Sequence, residues 1–146
     1  MTPREEAATP RVSATHRERI VVGTEAIDEL GHASNIAWVK WVQDAAKAHS
    51  ARAGFDYARY VELGAVFVVR RHELDYLGSA LEGDELDVET YVESWGAASS
   101  VRRTVVTRAR DGHVMLRACT LWALVAIATG RPRRIPDVLR DAFAKA

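Results

Sequence analysis

The amino-acid sequence predicts an α+β domain in which one long helix packs against an antiparallel β-sheet. Apolar residues recur every three or four positions in residues 36–54, which is typical of an amphipathic helix. Apolar and polar residues alternate from Asp84 to Ser94, which indicates a strand with one buried face. Asp111-Gly112, between two further strand-like segments, predicts a β-hairpin.

The predicted elements follow one another as strand, long helix and four antiparallel strands. The first strand is predicted at residues 17–24, and a loop over residues 28–35 leads into the helix. Residues 55–64 form a connector with at most a short helical turn. The remaining strands are predicted at 65–76, 84–94, 100–110 and 114–128, and a short amphipathic helix at 137–145 closes the chain.

Length and composition predict one globular domain. Of the 146 residues 48% are apolar, which argues against a disordered chain. Residues 1–16 are rich in Pro, Thr, Ala and charge and are interpreted as a flexible tail, which leaves 17–146 as the domain. Lys plus Arg equals Asp plus Glu, 20 each, so the overall charge favours neither nucleic acid nor a membrane surface as partner.

Several site and compartment classes find no support in the sequence. The single cysteine, Cys119, excludes an internal disulfide framework. Without a secretory signal or an apolar run of roughly eighteen residues, a cytoplasmic protein without a membrane span is expected. Cys/His spacing typical of zinc, a Gly-rich phosphate loop and a Gly-x-Ser-x-Gly elbow are all missing, so neither a metal nor a redox cofactor is expected.

The loop before the long helix carries the chemistry of interest. It places Asp28 beside the helix start on a segment that contains Gly31, and Ser34 or Asn35 can cap the helix, with Asn35 interpreted as the cap. The first turn of a helix has unpaired N–H groups that favour negative charge. An acyl carbonyl that becomes an oxyanion would be stabilised there, and Asp28 would attack it or activate a water.

This loop resembles the signature of a known family. The pattern Asp28-x-x-Gly31-His32-x-x-Asn35-x-x-aromatic, running into a helix, is similar to the opening of hotdog-fold acyl-CoA thioesterases of the 4-hydroxybenzoyl-CoA thioesterase type. Residues 81–86 resemble the family's Gly-Asp step into a long strand, and residues 129–136 resemble its closing turn. The resemblance covers about residues 17–137. Where many relatives have Asp, Asn and Tyr, this chain has Ala26, Ser34 and Trp38.

The resemblance implies hydrolysis of an acyl thioester, of coenzyme A or of an acyl carrier protein, with no cofactor other than coenzyme A within the substrate. Asp28 would be nucleophile or general base, the Asn35 backbone N–H would face the thioester oxygen, and His32 would line the pocket or orient the thioester. The implied substrate-binding residues are Gly31, Trp38, Arg131, Arg133 and Arg134. Each has a structural alternative: a turn aspartate, a loop histidine, a core tryptophan, or a solvated basic turn.

The sheet also predicts self-association. One helix covers one face, so apolar residues on the other face and in the last strand call for a second cover, most simply a second subunit. The resemblance implies a homodimer or a homotetramer. Two other functions stay open, a non-catalytic acyl-CoA-binding protein and a hotdog hydratase or dehydratase, although the sequence has no His-Phe-Pro-type segment of the latter.

Overall fold

A computed structural model describes residues 12–146. They form the five antiparallel strands and the long helix of the hotdog fold, which confirms the predicted fold class. The strands are β1 (His16–Val21), β2 (Ala65–Tyr76), β3 (Glu85–Trp95), β4 (Ser99–Arg108) and β5 (Val114–Ala126). The helices are α1 (Asn35–Arg52), α2 (Tyr57–Leu63) and α3 (Asp137–Ala144), and the strand order across the sheet is β1-β3-β4-β5-β2.

The predicted tail of residues 1–16 falls mostly on residues 1–11, which lie outside the described part of the chain. The residues just before β1 are bonded to the sheet. The Val12 N–H donates to the Val92 carbonyl at 3.2 Å, and the Ser13 hydroxyl accepts from the Val92 N–H at 2.8 Å. These two bonds place the start of the described chain beside β3.

The ends of α1 follow from its sequence, with one correction. Ser34, not Asn35, is the N-cap: its Oγ accepts from the Ala37 N–H at 3.1 Å. Asn35 is already the first helical residue, because the extended backbone that a cap requires is found at Ser34 (φ −71°, ψ 159°). The helix ends at Arg52, and Gly54 then takes the left-handed conformation that the sequence predicts, with φ 95°.

The core has two apolar halves, one between α1 and the sheet and one between the shorter helices and the sheet. One half surrounds Trp38, Leu86 and Leu116 near the start of α1. The other surrounds Phe55, Leu124 and Leu139 beneath α2 and α3. A band of buried polar side chains separates them, and its members are His49, Thr90, Arg102, Thr104 and Thr120.

The outer face of the sheet is more polar than the sequence analysis expected. Outward residues of β3 pair with arginines from neighbouring strands, such as Asp87 with Arg19 at 2.8 Å and Glu93 with Arg103. Cross-strand ion pairs thus occupy positions where an apolar surface was predicted, because the polar half of the alternation in β3 points outward. In residues 12–146 the sheet instead has two open edges, those of β1 and β2, and the longer one belongs to β2, which pairs only with β5.

The topology gives the sheet two chemically different ends. The loop after β1, the β2–β3 connection and the β4–β5 hairpin meet at one end, which we call the Asp28 end. The helices α2 and α3 and the turn after β5 lie at the other, which we call the α3 end. The 18 residues of α1 run from the first end to the second, a length of about 27 Å.

Candidate functional site

Asp28 lies at the tip of a small hairpin closed by a bridge between Ile27 and Ala33. Its N–H donates to the His32 carbonyl at 3.1 Å, and its Oδ1 accepts from the Leu30 N–H at 2.9 Å. The turn needs the left-handed backbone of Gly31, whose φ is 84°. Asp28 is half-buried, and its Oδ2 has no hydrogen-bond partner in residues 12–146, so one carboxylate oxygen remains available for a proton or an acyl carbon.

The hairpin is fixed to the body of the protein on both sides. The Ala33 N–H donates to the Ala80 carbonyl at 2.8 Å, and the Ser34 N–H donates to the Ala26 carbonyl at 2.9 Å. His32 is half-buried, and its Nδ1 lies 3.4 Å from the Ala33 carbonyl oxygen, a long contact that leaves the imidazole weakly held. The carboxylate is therefore held more firmly than the histidine beside it.

The start of α1 has free donors next to this hairpin. Asn35 and Ile36 are both exposed, and within the described chain their backbone N–H groups have no hydrogen-bond acceptor. Ser34 satisfies only the Ala37 N–H. Two amide donors at the positive end of a long helix thus follow Asp28 within eight positions, and donors of this kind can stabilise negative charge.

Trp38 lies in the core. Its side chain is 2% exposed and packs edge-to-face on Trp41, with ring centroids 4.9 Å apart. Within one chain Trp38 therefore occupies the position of a core tryptophan, because its ring has almost no open surface for a substrate.

The three arginines of the closing turn lie at the α3 end. Arg131 and Arg134 are exposed, whereas the Arg133 Nη1 donates to the Leu63 carbonyl at 2.6 Å and so holds the last turn of α2. The turn is bound to the end of β5, where the Arg133 N–H donates to the Leu124 carbonyl at 2.9 Å. Within one chain the structure does not bring these arginines to Asp28.

A cavity of about 610 Å³ at the α3 end was not foreseen. It lies between the second half of α1, α2 and the sheet, and its walls are mostly apolar and aromatic. Phe55, Tyr60, Phe67, Trp95, Trp122 and Phe143 contribute to them. Sequence reasoning missed the cavity because residues from most of the chain's elements line it. One usable signal was Arg102, which occupies an inward position between Ser100 and Thr104 on the alternating strand β4.

Arg102 is the buried charged group of this cavity, since the other two charged residues of the lining, Lys47 and Asp56, are exposed. Arg102 is 4% exposed. Its Nη1 donates to Thr90 Oγ1 and to His49 Nδ1, both at 3.0 Å. His49 in turn donates from Nε2 to the Ala146 carbonyl at 3.0 Å. Burial and the nearby guanidinium lower the pKa of His49 to about 4, so the imidazole is neutral and accepts from Arg102. Burial lowers the pKa of Arg102 to about 10, which leaves it cationic at neutral pH.

Residues 12–146 contain no group of three or more His, Cys, Asp or Glu side chains placed to hold a metal ion. Their helices include none that is both long and apolar enough to cross a membrane.

Comparison with known sequences gives matches to thioesterases. Residues 22–143 match the sequence model of the thioesterase-like superfamily. A chloroplast acyl-[acyl-carrier-protein] hydrolase from Cuphea viscosissima is 27% identical over 76 residues, which are 52% of this chain and only 18% of that protein.

Solved structures share the fold. A 1,4-dihydroxy-2-naphthoyl-CoA thioesterase from Synechocystis is 15% identical, with a TM-score of 0.82 over 89% of this chain and 96% of its own. A Staphylococcus aureus protein in complex with CoA is 16% identical, with a TM-score of 0.82 over 90% of this chain and 83% of its own. At these identities the likeness establishes the architecture that positions Asp28 and the start of α1.

Proposed function

Because the chain belongs to the thioesterase-like superfamily, we propose that it hydrolyses an acyl thioester of coenzyme A, or of an acyl carrier protein, to a carboxylic acid and a free thiol. The observation that carries the proposal is an Asp28 carboxylate with one unbonded oxygen, on the loop that leads into two unpaired amide donors at the start of α1. A base or nucleophile and an oxyanion site are the two groups that acyl transfer needs.

In the general-base form of the reaction, Asp28 takes a proton from a water molecule, and the water oxygen attacks the thioester carbon. The N–H groups of Asn35 and Ile36 stabilise the negative oxygen of the tetrahedral intermediate. The carbon–sulfur bond then breaks, and the thiolate receives the proton that Asp28 holds. If Asp28 instead attacks the carbon directly, the thiolate leaves first and a mixed anhydride forms. Water then hydrolyses the anhydride, which restores the Asp28 carboxylate, and the proton that this step releases neutralises the thiolate, so the two products are the same.

A second subunit would complete the site. Edge strands pair readily, and β2 offers an open edge of twelve residues that includes the apolar run Val66 to Val69. Antiparallel pairing of two β2 strands would set the α3 end of one copy against the Asp28 end of the other. The exposed arginines Arg131 and Arg134 of one copy would then lie near the active site of the other, where they suit the phosphates of coenzyme A.

The decisive experiment measures free thiol released from a panel of aliphatic and aromatic acyl-CoA thioesters and from an acylated carrier protein. Steady release over many turnovers supports the proposal, whereas stoichiometric binding without release would identify a non-catalytic acyl-CoA-binding protein. Water addition to an enoyl thioester without thiol release would identify a hydratase. The ratio of kcat/KM for the two carriers decides between coenzyme A and the carrier protein.

A further inference from the structure

The cavity at the α3 end contains a buried cation that the described protein only partly satisfies. Arg102 makes two hydrogen bonds, and both start from Nη1. Its Nε and Nη2 have no acceptor, and no carboxylate lies within ion-pair distance of it, among residues 12–146. A guanidinium carries five N–H donors, and a buried charge without a counter-ion is costly, so a ligand that supplies an anion would be strongly favoured.

Two neutral polar groups of the cavity, those of Ser50 and Tyr60, are already paired. Ser50 Oγ donates to the Phe55 carbonyl at 2.7 Å, so the Tyr60 hydroxyl, 2.6 Å from the same oxygen, donates to Ser50. Burial raises the pKa of Tyr60, which keeps it a phenol. The one carboxylate in the lining, that of Asp56, is exposed and caps α2 by accepting from the Arg59 N–H at 2.9 Å. Arg102 is therefore the buried charged group of the lining that remains to be satisfied, since Lys47 is exposed.

The size and the apolar walls of the cavity indicate what kind of molecule would carry the anion. A volume of about 610 Å³ is in the range that holds a small organic molecule, and aromatic rings from α1–α2, β3, β5 and α3 surround it. The Phe143 ring faces the Arg102 guanidinium with its centroid 5.9 Å away, so the cation lies at the apolar wall. The Trp122 indole N–H, in the same wall, is buried and without an acceptor within the described chain.

We propose that this cavity binds an apolar molecule that ends in a carboxylate, with the carboxylate at Nε and Nη2 of Arg102 and the hydrocarbon among the aromatic side chains. A planar carboxylate matches the two parallel donors of a guanidinium. Such a ligand has two sources, a free carboxylic acid or the far end of an acyl group that carries a second carboxylate. Both present the same chemistry to Arg102.

The test is a binding titration that needs no thioester hydrolysis. Decanoate and decanol, which differ in the head group, are added to the whole protein while the fluorescence of Trp95 and Trp122 at the cavity is followed, with calorimetry as a second measurement. We expect decanoate to bind at least about tenfold more tightly than decanol. Equal affinities, or no binding of either compound, would overturn the proposal.

Two variants and one control locate the ligand. Arg102→Met should abolish the preference for decanoate, whereas Arg103→Met, which removes the next arginine on the outward side of β4, should retain it. Ala51→Trp, an exposed wall position on α1, should block both compounds without touching Arg102. Binding of decanoate by Ala51→Trp as tightly as by the parent would place the ligand elsewhere and refute the assignment, even if Arg102→Met fails to fold.

A kinetic arm distinguishes the two sources and rests on the proposed thioester hydrolysis. The coenzyme A half-thioester of decanedioic acid is compared with decanoyl-CoA in the parent and in Arg102→Met. A higher kcat/KM for the half-thioester that disappears in Arg102→Met identifies the ligand as the far end of an acyl group. Equal kcat/KM values, with decanoate still bound in the titration, identify it as a free acid.

Discussion

The two ends of the sheet differ in how far their polar groups are buried and in whether a cavity is present. At the Asp28 end the reactive groups are half-buried or exposed, adjacent in sequence, and form no enclosed site within one chain. At the α3 end a buried cation and aromatic rings from distant parts of the chain line a partly open cavity, and a neutral imidazole contacts the cation. An exposed site suits a large carrier and needs a second surface to exclude water, whereas an apolar cavity suits a small apolar ligand.

Of the changes considered for the two ends, a substitution of Asp28 is expected to have the largest effect, and that effect is on kcat. Asp28→Asn keeps the size of the side chain but removes the base or nucleophile, so kcat should fall by about 10²–10⁴ with an unchanged fold. Thiol release and circular dichroism measure the two properties. Asp84→Asn is the matched control, because Asp84 is another half-buried turn aspartate at this end and its Oδ2 accepts from the Leu81 N–H. A correctly folded Asp28→Asn variant with parental kcat would remove Asp28 from the mechanism.

The buried network at the α3 end should respond to acid. Since the pKa of His49 falls from 6.5 in the unfolded chain to about 4 in the folded one, the unfolded state binds more protons between these values. The free energy of unfolding should therefore decrease as the pH falls from about 6.5 to 4, by up to about 3 kcal/mol. Urea unfolding at a series of pH values measures it.

His49→Gln is the control for the acid response. The amide oxygen can accept from Arg102, and the side chain does not titrate in this range. The variant should lose most of the pH dependence between 6.5 and 4, and a curve parallel to that of the parent would assign the effect to other histidines.

The proposed dimer, in which the α3 end of one copy lies against the Asp28 end of the other, is tested by a substitution in the edge strand β2. Val68→Lys places a charge in the apolar run of this strand and should disfavour edge pairing, with a weaker effect on the folded protomer. Light scattering at micromolar concentration should give a multiple of 16.2 kDa for the parent and a smaller species for the variant. A parent that is monomeric and fully active would refute the shared site.

The smallest effect is expected at the arginine turn. Arg131→Ala with Arg134→Ala removes the two exposed cations and should raise KM for acyl-CoA several-fold, with kcat little changed, because solvent screens exposed contacts to phosphate. The same variant should leave KM for a short pantetheine thioester unaltered. Arg133 is kept because it holds Leu63, so Arg133→Ala serves as the structural control, and equal losses on both substrates would indicate a structural role for the turn.

How far the sequence predicts this molecule differs between the ends. The long helix, the hairpin and the succession of strands along the chain followed from local patterns, and the Asp28 loop was recognised because its groups are consecutive. The order of the strands across the sheet, with β2 beside β5, was not predicted. The cap at Ser34 was misassigned, since Ser34 and Asn35 are both good caps and only backbone geometry separates them. Arg102 was not singled out for the cavity, because its partners His49 and Thr90 come from other elements and only the folded sheet brings them together.

The strand order has a consequence for biosynthesis. The meander β3–β4–β5 pairs neighbours in sequence, but β2 pairs with β5, from Ala65 with Ala126 to Tyr76 with Leu116. A growing chain therefore presents β2 with both edges bare until β5 leaves the ribosome, and its Val66-to-Val69 run is the kind of segment that aggregates. Arg70 and Arg71 follow that run directly, and adjacent positive charges at the end of an apolar strand are of the kind that disfavours association between such segments.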